Sequence, residues 1–461
     1  MSAITDRDVF QTITESFTRR TQGSEKWDSR AKAVLPGGDT RAATYYTPYP
    51  AYMERGEGCY LYDFDENKYI DFLNNYTSLI HGHAHPATVR AVQDQVSRGI
   101  VLGSASRLAV RHAELMCNRI PSIDSIRYCN SGTEATLLAM RAARAFTGRD
   151  LIVKMDGGYH GSHDYVQVNV QPDLESNGRP RPKLTSRGVP AAVLEGMRVV
   201  PFNDLEALED VLGAHSGAIA AVIMEPVIGA GGGVQPEPGY LQGVRQLTQT
   251  HDVLLIFDEI LTFRLDLGGI QSLFGVTPDL TTLGKIIGGG MPIGAFGGRA
   301  EIMAPFDPTH PQTIVHNGTF NGNNLTMAAG LATLEDFGAE EIARINKLGQ
   351  RLKEGLNQVL DATGVEARAV GLGSTIPMQW TAANVKTSRD AGLAKARAAN
   401  LPRLLHLEMM NRGIYCAPRC QFSVSTPMTE NEIDVAIDVF GQALAAVRPH
   451  MIAQTPHLLR D

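Results

Sequence analysis

The chain has 461 residues, of which 43% are hydrophobic and 20% charged, and its formal net charge is −7. This length can bury a large core and is typical of two or three domains in an ordinary globular protein. The negative charge argues against general nucleic-acid binding, because no basic excess is present to neutralise phosphates. We see neither an apolar run long enough for a membrane span nor a signal peptide, so the expected location is the cytoplasm.

The cysteines and one histidine cluster are the first candidates for a metal site. Five cysteines, an odd number in a large chain, indicate reduced thiols. Cys416 and Cys420 lack a second ligand pair at zinc spacing, and His81, His83 and His85 lack a carboxylate partner. We therefore expect no metal, and interpret the two cysteines as small buried residues and the histidines as a polar loop.

The N-terminal segment, residues 1–85, combines helical and strand patterns. A helix is predicted from about 7 to 34, ending where proline and glycine break the pattern. Alternating residues within 52–64 predict a small antiparallel sheet with a turn at 65–67, and a helix is predicted over 86–98. We assign residues 1–85 to part of a small domain.

Residues 107 to 330 alternate helical stretches with short, fully apolar runs, which predicts a mainly parallel sheet covered on both faces. Ligands of such sheets bind at the carboxyl ends of the strands. The runs are Ser125–Cys129, Leu151–Val153, Ile219–Met224, Val253–Phe257 and Thr281–Leu283. Five candidate residues each follow one of these runs closely: Ser131, Asp156, Glu225, Asp258 and Lys285.

The remaining chain completes a two-domain α/β organisation. A stretch at 171–196, rich in proline and glycine, is too long for an ordinary connection and is interpreted as a mobile lid, with a surface excursion as the alternative. After about 335, a helical stripe, three short strands and a helix opened by a Thr429/Glu432 capping box indicate a smaller α/β domain. The predicted domains are a large one over 86–335 and a small one over 336–461 together with 1–85.

Lys285 and Asp258 carry the strongest chemical hypothesis. A lysine among small residues, just downstream of an apolar strand that ends in aspartate, is what pyridoxal phosphate (PLP) chemistry needs. The amine can hold the cofactor aldehyde as a Schiff base, and the carboxylate can keep the pyridine nitrogen protonated. By themselves, a surface lysine and an aspartate that caps the next element remain alternatives.

Two further segments suit a phosphorylated aromatic cofactor. Ser131 and Glu134 have capping-box spacing at the start of a strong helix, and Gly132 allows close backbone approach, which together form a cradle for phosphate. Tyr159, between glycines just past a strand, can stack on a ring. An ordinary capped helix and a tight turn with a core tyrosine are the alternatives.

Seven segments, taken in order, resemble the class III PLP-dependent aminotransferases of fold type I. This resemblance implies a large domain with a mainly parallel seven-stranded sheet plus a smaller α/β domain. Within that class, the chain is most similar to β-amino-acid (β-phenylalanine) aminotransferases and to glutamate-1-semialdehyde 2,1-aminomutase. The segments are Ser131–Ala135, Gly158–Gly161, Glu225–Pro226, Phe257–Glu259, Leu283–Gly290, Gly294–Gly298 and Gly318–Phe320.

The resemblance assigns roles to particular residues. It implies that Lys285 forms the Schiff base with PLP, that Asp258 pairs with the pyridinium nitrogen, and that Tyr159 stacks on the ring. It further implies a homodimer with shared active sites, in which Thr319 reaches the phosphate bound by the neighbouring subunit. The other cofactor-binding residues that it implies are Ser131, Gly132, Thr133, His160 and Glu225.

Substrate choice is assigned to two arginines. Arg41 and Arg419 stand where the β-amino-acid aminotransferases have arginines that bind substrate carboxylate, and Tyr76 is a candidate wall of the side-chain pocket. The predicted function is transfer of an amino group from a β-amino acid, aromatic ones included, to 2-oxoglutarate or pyruvate. The alternatives are a glutamate-1-semialdehyde aminomutase and a non-catalytic PLP-binding protein.

Overall fold

The computed structural model describes residues 6–177 and 179–460. Its helices are α1 (Asp6–Arg20), α2 (Gln22–Lys32), α3 (Asn74–Thr77), α4 (Pro86–Val96), α5 (Arg107–Arg119), α6 (Gly132–Thr147), α7 (Leu205–Ala214), α8 (Tyr240–Thr250), α9 (Ile270–Phe274), α10 (Ala300–Met303), α11 (Asn324–Asp336), α12 (Ala339–Thr363), α13 (Ser388–Arg397), α14 (Leu401–Asn411) and α15 (Glu430–Gln454). Its strands are β1 (Met53–Glu57), β2 (Tyr60–Asp63), β3 (Lys68–Asp71), β4 (Ser125–Cys129), β5 (Leu151–Met155), β6 (Met197–Val200), β7 (Ile219–Met224), β8 (Leu254–Asp258), β9 (Leu280–Gly284), β10 (Gly294–Gly298), β11 (Arg368–Ala369), β12 (Thr375–Gln379), β13 (Ile414–Tyr415) and β14 (Gln421–Ser423). Within those two ranges no helix is both long and apolar enough to cross a membrane.

The chain divides into two compact units. The large unit comprises Pro86–Ile342 and Val385–Leu393, and the small unit comprises Met1–His85, Ala343–Asn384 and Ala394–Asp461. The first division falls at the predicted boundary after residue 85, and the second lies seven residues beyond the predicted 335. The return of 385–393 to the large unit was not expected from the sequence. The assignment of independent domains stays a prediction.

The large unit is built on one seven-stranded sheet in the order β4-β10-β9-β8-β7-β5-β6. Strands β5 to β9 pair in parallel, and β10 runs antiparallel to both β4 and β9. Every residue of β7, β8 and β9 is buried, as expected for strands covered on both faces. The predicted mainly parallel seven-stranded sheet is confirmed.

Two strands of this sheet were not predicted. β6 is only four residues long, and β10 contains three glycines, a residue type that is depleted in strands. The glycines of β10 are required by packing: a Cβ at Gly294 would lie 1.9 Å from the carbonyl oxygen of Ser131. Close approach to the neighbouring chain therefore outweighs intrinsic strand preference here.

The register of the sheet brings the candidate residues to one edge. Met224 pairs with Phe257, so that Glu225 and Asp258 follow each other at adjacent strand ends. Asp258 pairs with Thr282 of β9, three residues before Lys285. Glu225, Asp258 and Lys285 therefore follow the ends of three strands that are neighbours in the sheet.

The small unit contains a four-stranded sheet, β1-β2-β3-β13, and a three-stranded sheet, β11-β12-β14. The capping box of Thr429 and Glu432 opens α15 as predicted, although the helix continues to Gln454 rather than 447. The single helix predicted over 7–34 is wrong, because the chain breaks into α1 and α2 around Thr21. The buried Thr21 hydroxyl donates to the carbonyl of Phe17, a local bond that competes with helix continuation.

Candidate active site

Lys285 lies immediately after β9, at the start of a short 3-10 turn over Lys285–Gly288. Its φ is 51°, a left-handed conformation that is uncommon for a residue with a side chain and is often found where surrounding structure holds a functional group. Lys285 is partly buried, whereas Ile286, Ile287 and Gly288 are buried. The lysine therefore has a strained backbone and is followed by a buried turn.

His112 supports this turn from behind. Its Nε2 donates to the carbonyl of Ile287 at 2.8 Å, and its Nδ1 accepts from the Tyr128 hydroxyl at 2.7 Å. Burial lowers the pKa of His112 to about 4, which keeps the imidazole neutral and suits one donating and one accepting nitrogen. Sequence reasoning missed His112, because nothing in its helical surroundings distinguishes it from a core residue.

Asp258 ends β8 with only 4% of its surface exposed. Its Oδ2 accepts a hydrogen bond from His160 Nδ1 at 2.8 Å, and its Oδ1 accepts from the backbone N–H of Ile260 at 3.2 Å. A carboxylate offers about four lone-pair positions, so acceptor capacity remains for a further cation or N–H group. The structure gives His160 a role that its motif alone did not show: it orients Asp258.

Glu225 holds the segment that carries Tyr159. Its Oε1 accepts from the Tyr159 backbone N–H at 2.9 Å, and its Oε2 accepts from that of Gly229 at 3.0 Å. Burial raises the pKa of Glu225. The Tyr159 side chain nevertheless remains 45% exposed, although its main chain is anchored. An exposed aromatic ring on a fixed backbone is suited to stacking against a planar ligand.

The N-terminus of α6 forms the expected cradle for an anion. Ser131 Oγ accepts from the backbone N–H of Glu134 at 3.2 Å, as predicted, whereas Glu134 returns to the N–H of Asn130 at 2.5 Å rather than to that of Ser131. Thr133 Oγ1 accepts from the N–H of Ser162 at 3.1 Å. A 16-residue helix supplies a positive dipole end and unpaired first-turn N–H groups.

Gly132 makes this cradle possible by its lack of a side chain. A Cβ at this position would approach Ile260 Cδ1 to 2.6 Å, so that Ile260 packs directly over the helix start. Because Ile260 is two residues beyond Asp258, the same packing connects the anion cradle to the buried carboxylate. The cradle and the carboxylate are therefore parts of one site.

Asp156 follows β5 as predicted, but its contacts are structural. Its Oδ1 accepts from Asn169 Nδ2 at 2.7 Å, and both of its oxygens lie within 3.3 Å of the backbone nitrogen of Asp173. Beside it, the fully buried Lys154 donates to the carbonyls of Gly158 and Val168 at 2.9 and 2.5 Å. Asp156 therefore anchors the start of the 171–196 stretch at Asp173, and Lys154 holds the chain just before it. The role of that stretch as a lid stays a prediction.

These residues fit PLP by the chemistry of their donors. The site combines an amine on a strained turn, a buried carboxylate with remaining acceptor capacity, an exposed aromatic ring and a helix N-terminus. His160 Nε2 is buried and has no hydrogen-bond partner within residues 6–177 and 179–460, which is consistent with a site that is completed by a bound group. Lys285, Asp258, Tyr159, Ser131 and Thr133 are the residues that would hold the cofactor.

The three predicted substrate residues come together in the small unit. Arg41 Nη2 donates to Asn75 Oδ1 at 2.8 Å, and its guanidinium carbon lies 6.0 Å from the centre of the Tyr76 ring. The guanidinium carbon of Arg419 lies 5.7 Å from the same ring, and Arg419 Nε donates to Gln421 Oε1 at 2.9 Å. One tyrosine ring is therefore within reach of both cations, and both have an amide acceptor. Sequence reasoning missed Asn75 and Gln421.

The remaining predicted residues have simpler surroundings. Thr319 lies in an exposed turn of the large unit. Cys416 and Cys420 are buried. His83 Nε2 contacts Asp71 at 2.7 Å and His81 Nδ1 contacts the Thr426 hydroxyl at 2.7 Å. In the part of the chain that the structure describes, no group of three or more histidine, cysteine or acidic side chains is arranged to hold a metal ion.

Known proteins share this fold over most of the chain. The chain is 45% identical over 358 residues to a glutamate-1-semialdehyde 2,1-aminomutase of Methanothrix thermoacetophila, covering 77% of this chain and 82% of that one. An ω-transaminase from Sphaerobacter thermophilus is 41% identical with a TM-score of 0.89, covering 92% and 98% of the two chains. A β-phenylalanine aminotransferase from Variovorax paradoxus is 35% identical with a TM-score of 0.87, covering 96% and 98%.

The family itself follows from a match over most of the chain. Residues 42–444 match the model of the class III aminotransferases, a range that includes every predicted cofactor residue. PLP-bound and pyridoxamine-phosphate-bound proteins are among the solved structures with this fold. The chain therefore belongs to the class III aminotransferases and is a PLP-dependent enzyme of the aminotransferase or aminomutase type.

Proposed function

We propose that this enzyme is a transaminase that transfers the amino group of a β-amino acid, aromatic ones included, to 2-oxoglutarate or pyruvate. The observation that carries the proposal is the arrangement of Arg41 and Arg419 around the ring of Tyr76. Guanidinium groups bind carboxylates by two parallel charge-assisted hydrogen bonds, and an aromatic ring offers an apolar surface to a substrate side chain. The likeness to the Variovorax paradoxus β-phenylalanine aminotransferase supports the same substrate class.

The geometry of the large unit supports the roles that we propose at the cofactor end. PLP, when bound, supplies an electron sink for negative charge at the substrate carbon. Lys285 is the amine that would hold the cofactor aldehyde and would carry the proton at the reacting substrate carbon. Asp258, which accepts a hydrogen bond from His160, would hold a proton on the ring nitrogen of the cofactor. Glu225 keeps the backbone of Tyr159 in place, and the exposed Tyr159 ring would stack on the cofactor.

A second candidate function is the aminomutase reaction on glutamate 1-semialdehyde. It is favoured by the 45% identity to the aminomutase of Methanothrix thermoacetophila. That reaction moves an amino group within one molecule, so it needs no separate oxo-acid acceptor. The requirement for an acceptor therefore distinguishes the two functions.

We further propose a homodimer whose active sites are shared. Thr319 is exposed in the single chain, as its predicted contact with the phosphate of a neighbouring subunit requires. Five exposed large apolar residues of the large unit are candidates for the contact surface, because an exposed apolar side chain gains stability when a partner covers it: Ile100, Val101, Leu102, Val315 and Phe320. Sedimentation of the purified protein tests this proposal, and a monomer that remains active would contradict it.

The experiment that tests the function is a panel of amine donors with two acceptors. We expect a β-amino acid, added without an acceptor, to remove the absorbance of the bond between Lys285 and the cofactor. Addition of 2-oxoglutarate or pyruvate should then restore that absorbance. If no β-amino acid does so while glutamate 1-semialdehyde is converted without an acceptor, the aminomutase function holds instead. The Sphaerobacter thermophilus ω-transaminase, at 41% identity, is a suitable comparison enzyme.

A further inference from the structure

The element α3 is a left-handed turn built entirely from residues with side chains. Asn74, Asn75, Tyr76 and Thr77 have φ values of 48°, 46°, 54° and 72°. Asn75 and Tyr76 also have the ψ values of a left-handed helix, 55° and 50°. This conformation is disfavoured for L-residues and normally occurs at single positions, not at four in succession. Such strain persists only where the surrounding structure enforces it, and it concentrates at functional sites.

Buried contacts on one side hold this turn. Asp71 Oδ1 accepts from the backbone N–H groups of Leu73 and Asn74 at 2.8 and 2.9 Å. Asn74 is buried, and its Nδ2 donates to the carbonyl of Ser423 at 2.8 Å. Thr77 is buried as well. The first and last residues of the turn are therefore fixed by the core of the small unit.

The middle residues of the turn face the arginines. Asn75 is exposed, and its Oδ1 is the acceptor for Arg41 Nη2. Tyr76 places its ring near both guanidinium groups, and its hydroxyl donates to the carbonyl of Ala43. Because a right-handed turn would direct these two side chains differently, the strained backbone is what brings Asn75 and Tyr76 to Arg41.

The same strand supports the turn and the second arginine. Ser423 of β14 accepts from Asn74 through its carbonyl and donates from its hydroxyl to the carbonyl of Leu73 at 3.2 Å. Two residues earlier on that strand, Gln421 accepts from Arg419. Hydrogen bonds to β14 therefore help to fix both Arg419 and the turn.

From these contacts we propose that α3 is a positioning element for substrate recognition, and that Asn75 is the positioning residue that orients the Arg41 guanidinium toward a substrate carboxylate. The proposal rests on the proposed function, in which Arg41 binds that carboxylate. The left-handed backbone lowers the stability of the fold, and it presents the amide oxygen of Asn75 to Arg41.

Asn75→Gly separates the two effects, because glycine adopts positive φ readily but has no acceptor for Arg41. We expect the melting temperature to rise by about 2 °C and the KM for a β-amino acid to rise about tenfold, with kcat changed much less. Ala84→Gly is the matched control: Ala84 is exposed at φ 52° and its side chain is a methyl group. It should raise the melting temperature and leave KM unchanged.

Asn75→Asp tests rescue, since aspartate tolerates this conformation and accepts from arginine. We expect its KM to stay within about threefold of the wild-type value, because a charge-assisted acceptor replaces the amide. A wild-type KM in Asn75→Gly, with Arg41→Gln raising KM, would overturn the positioning role and leave the proposed function standing. A wild-type KM in Arg41→Gln would instead overturn the carboxylate role of Arg41, and with it both proposals.

Discussion

The cofactor end of the large sheet and the arginine cluster of the small unit are built by different means. Asp258 and Glu225 are 4% and 5% exposed, and their positions follow from strand ends fixed by the pairing of a buried sheet. Arg41 is exposed and Arg419 half-buried, and both are oriented by amide side chains. In the proposed function, the chemistry therefore depends on side chains held by a buried sheet, whereas recognition depends on long side chains that one or two substitutions would redirect. Substitutions at the cofactor end of the sheet should lower kcat, and substitutions in the arginine cluster should raise KM.

The largest effect is expected from Lys285→Ala. Removing the amine eliminates both the attachment of the cofactor and the proton carrier at the substrate carbon, so turnover should fall by at least about 10³-fold. The measurement is single-turnover kinetics with the absorbance spectrum of the bound cofactor. Lys386→Ala, which removes an exposed lysine of the large unit, is the control and should be fully active. Surviving activity in Lys285→Ala would remove the basis of the proposed mechanism.

Asp258→Asn should follow, with kcat reduced by about 100- to 1000-fold. The amide keeps the shape of the side chain but removes the charge that would hold a proton on the ring nitrogen. The matched control is Asp156→Asn, a buried carboxylate after another strand whose contacts are with Asn169 and Asp173. We expect the control to lose less than about tenfold in kcat, because its hydrogen bonds anchor a loop. Equal losses in the two variants would mean that burial of charge, and not its position, matters.

Arg41→Gln and Arg419→Gln should act on the second region. Each loses a charged partner for carboxylate, so KM should rise about 10- to 100-fold while kcat changes less. Arg55→Gln is the control, since Arg55 also lies over a tyrosine ring, that of Tyr62, at 3.5 Å in the small unit. The measurement is the kcat and KM of all three variants by steady-state kinetics. A fall in kcat with unchanged KM would place these arginines in the chemistry instead of in recognition.

The smallest effect is a change in the pH dependence of stability in Lys154→Met. Burial lowers the pKa of Lys154 to about 7 from an ordinary value of 10.5. Between these values the unfolded chain binds more protons than the folded one, so this lysine makes stability rise with pH, by up to about 1.4 kcal/mol per pH unit. The variant should lack that rise.

Urea midpoints at pH 6.5 and pH 9 measure this difference between the wild type and Lys154→Met. Lys353→Met is the control, because Lys353 is only partly buried and donates to one carbonyl, that of Gly371, at 3.3 Å. Its effect on the pH dependence should be smaller. If Lys154→Met and the wild type gained stability equally over this range, Lys154 would not be the group that titrates.

Much of the architecture could be predicted from the sequence alone. A continuous apolar run identified β7, and a shorter mixed run identified β4, both with the bounds that the structure has. The polar residues that follow the strands located one edge of the sheet. The capping box of α15 was equally readable, because its hydrogen bonds join residues three positions apart. The prediction of these features is correct because the forces that determine them act between residues close together in the chain. The roles of Lys285 and Asp258, also inferred from the sequence, stay predictions.

Only the tertiary structure decided how those residues are supported. His112 behind Ile287 and His160 beside Asp258 join positions 175 and 98 residues apart, and no local pattern indicates such bonds. β10 was missed because its glycines satisfy packing against Ser131, not strand preference. The left-handed turn at Asn74–Thr77 goes against local preference altogether, and contacts from Asp71 and Ser423 impose it. The sequence by itself therefore determined which chemistry this chain carries, and long-range packing decided how its side chains are aimed.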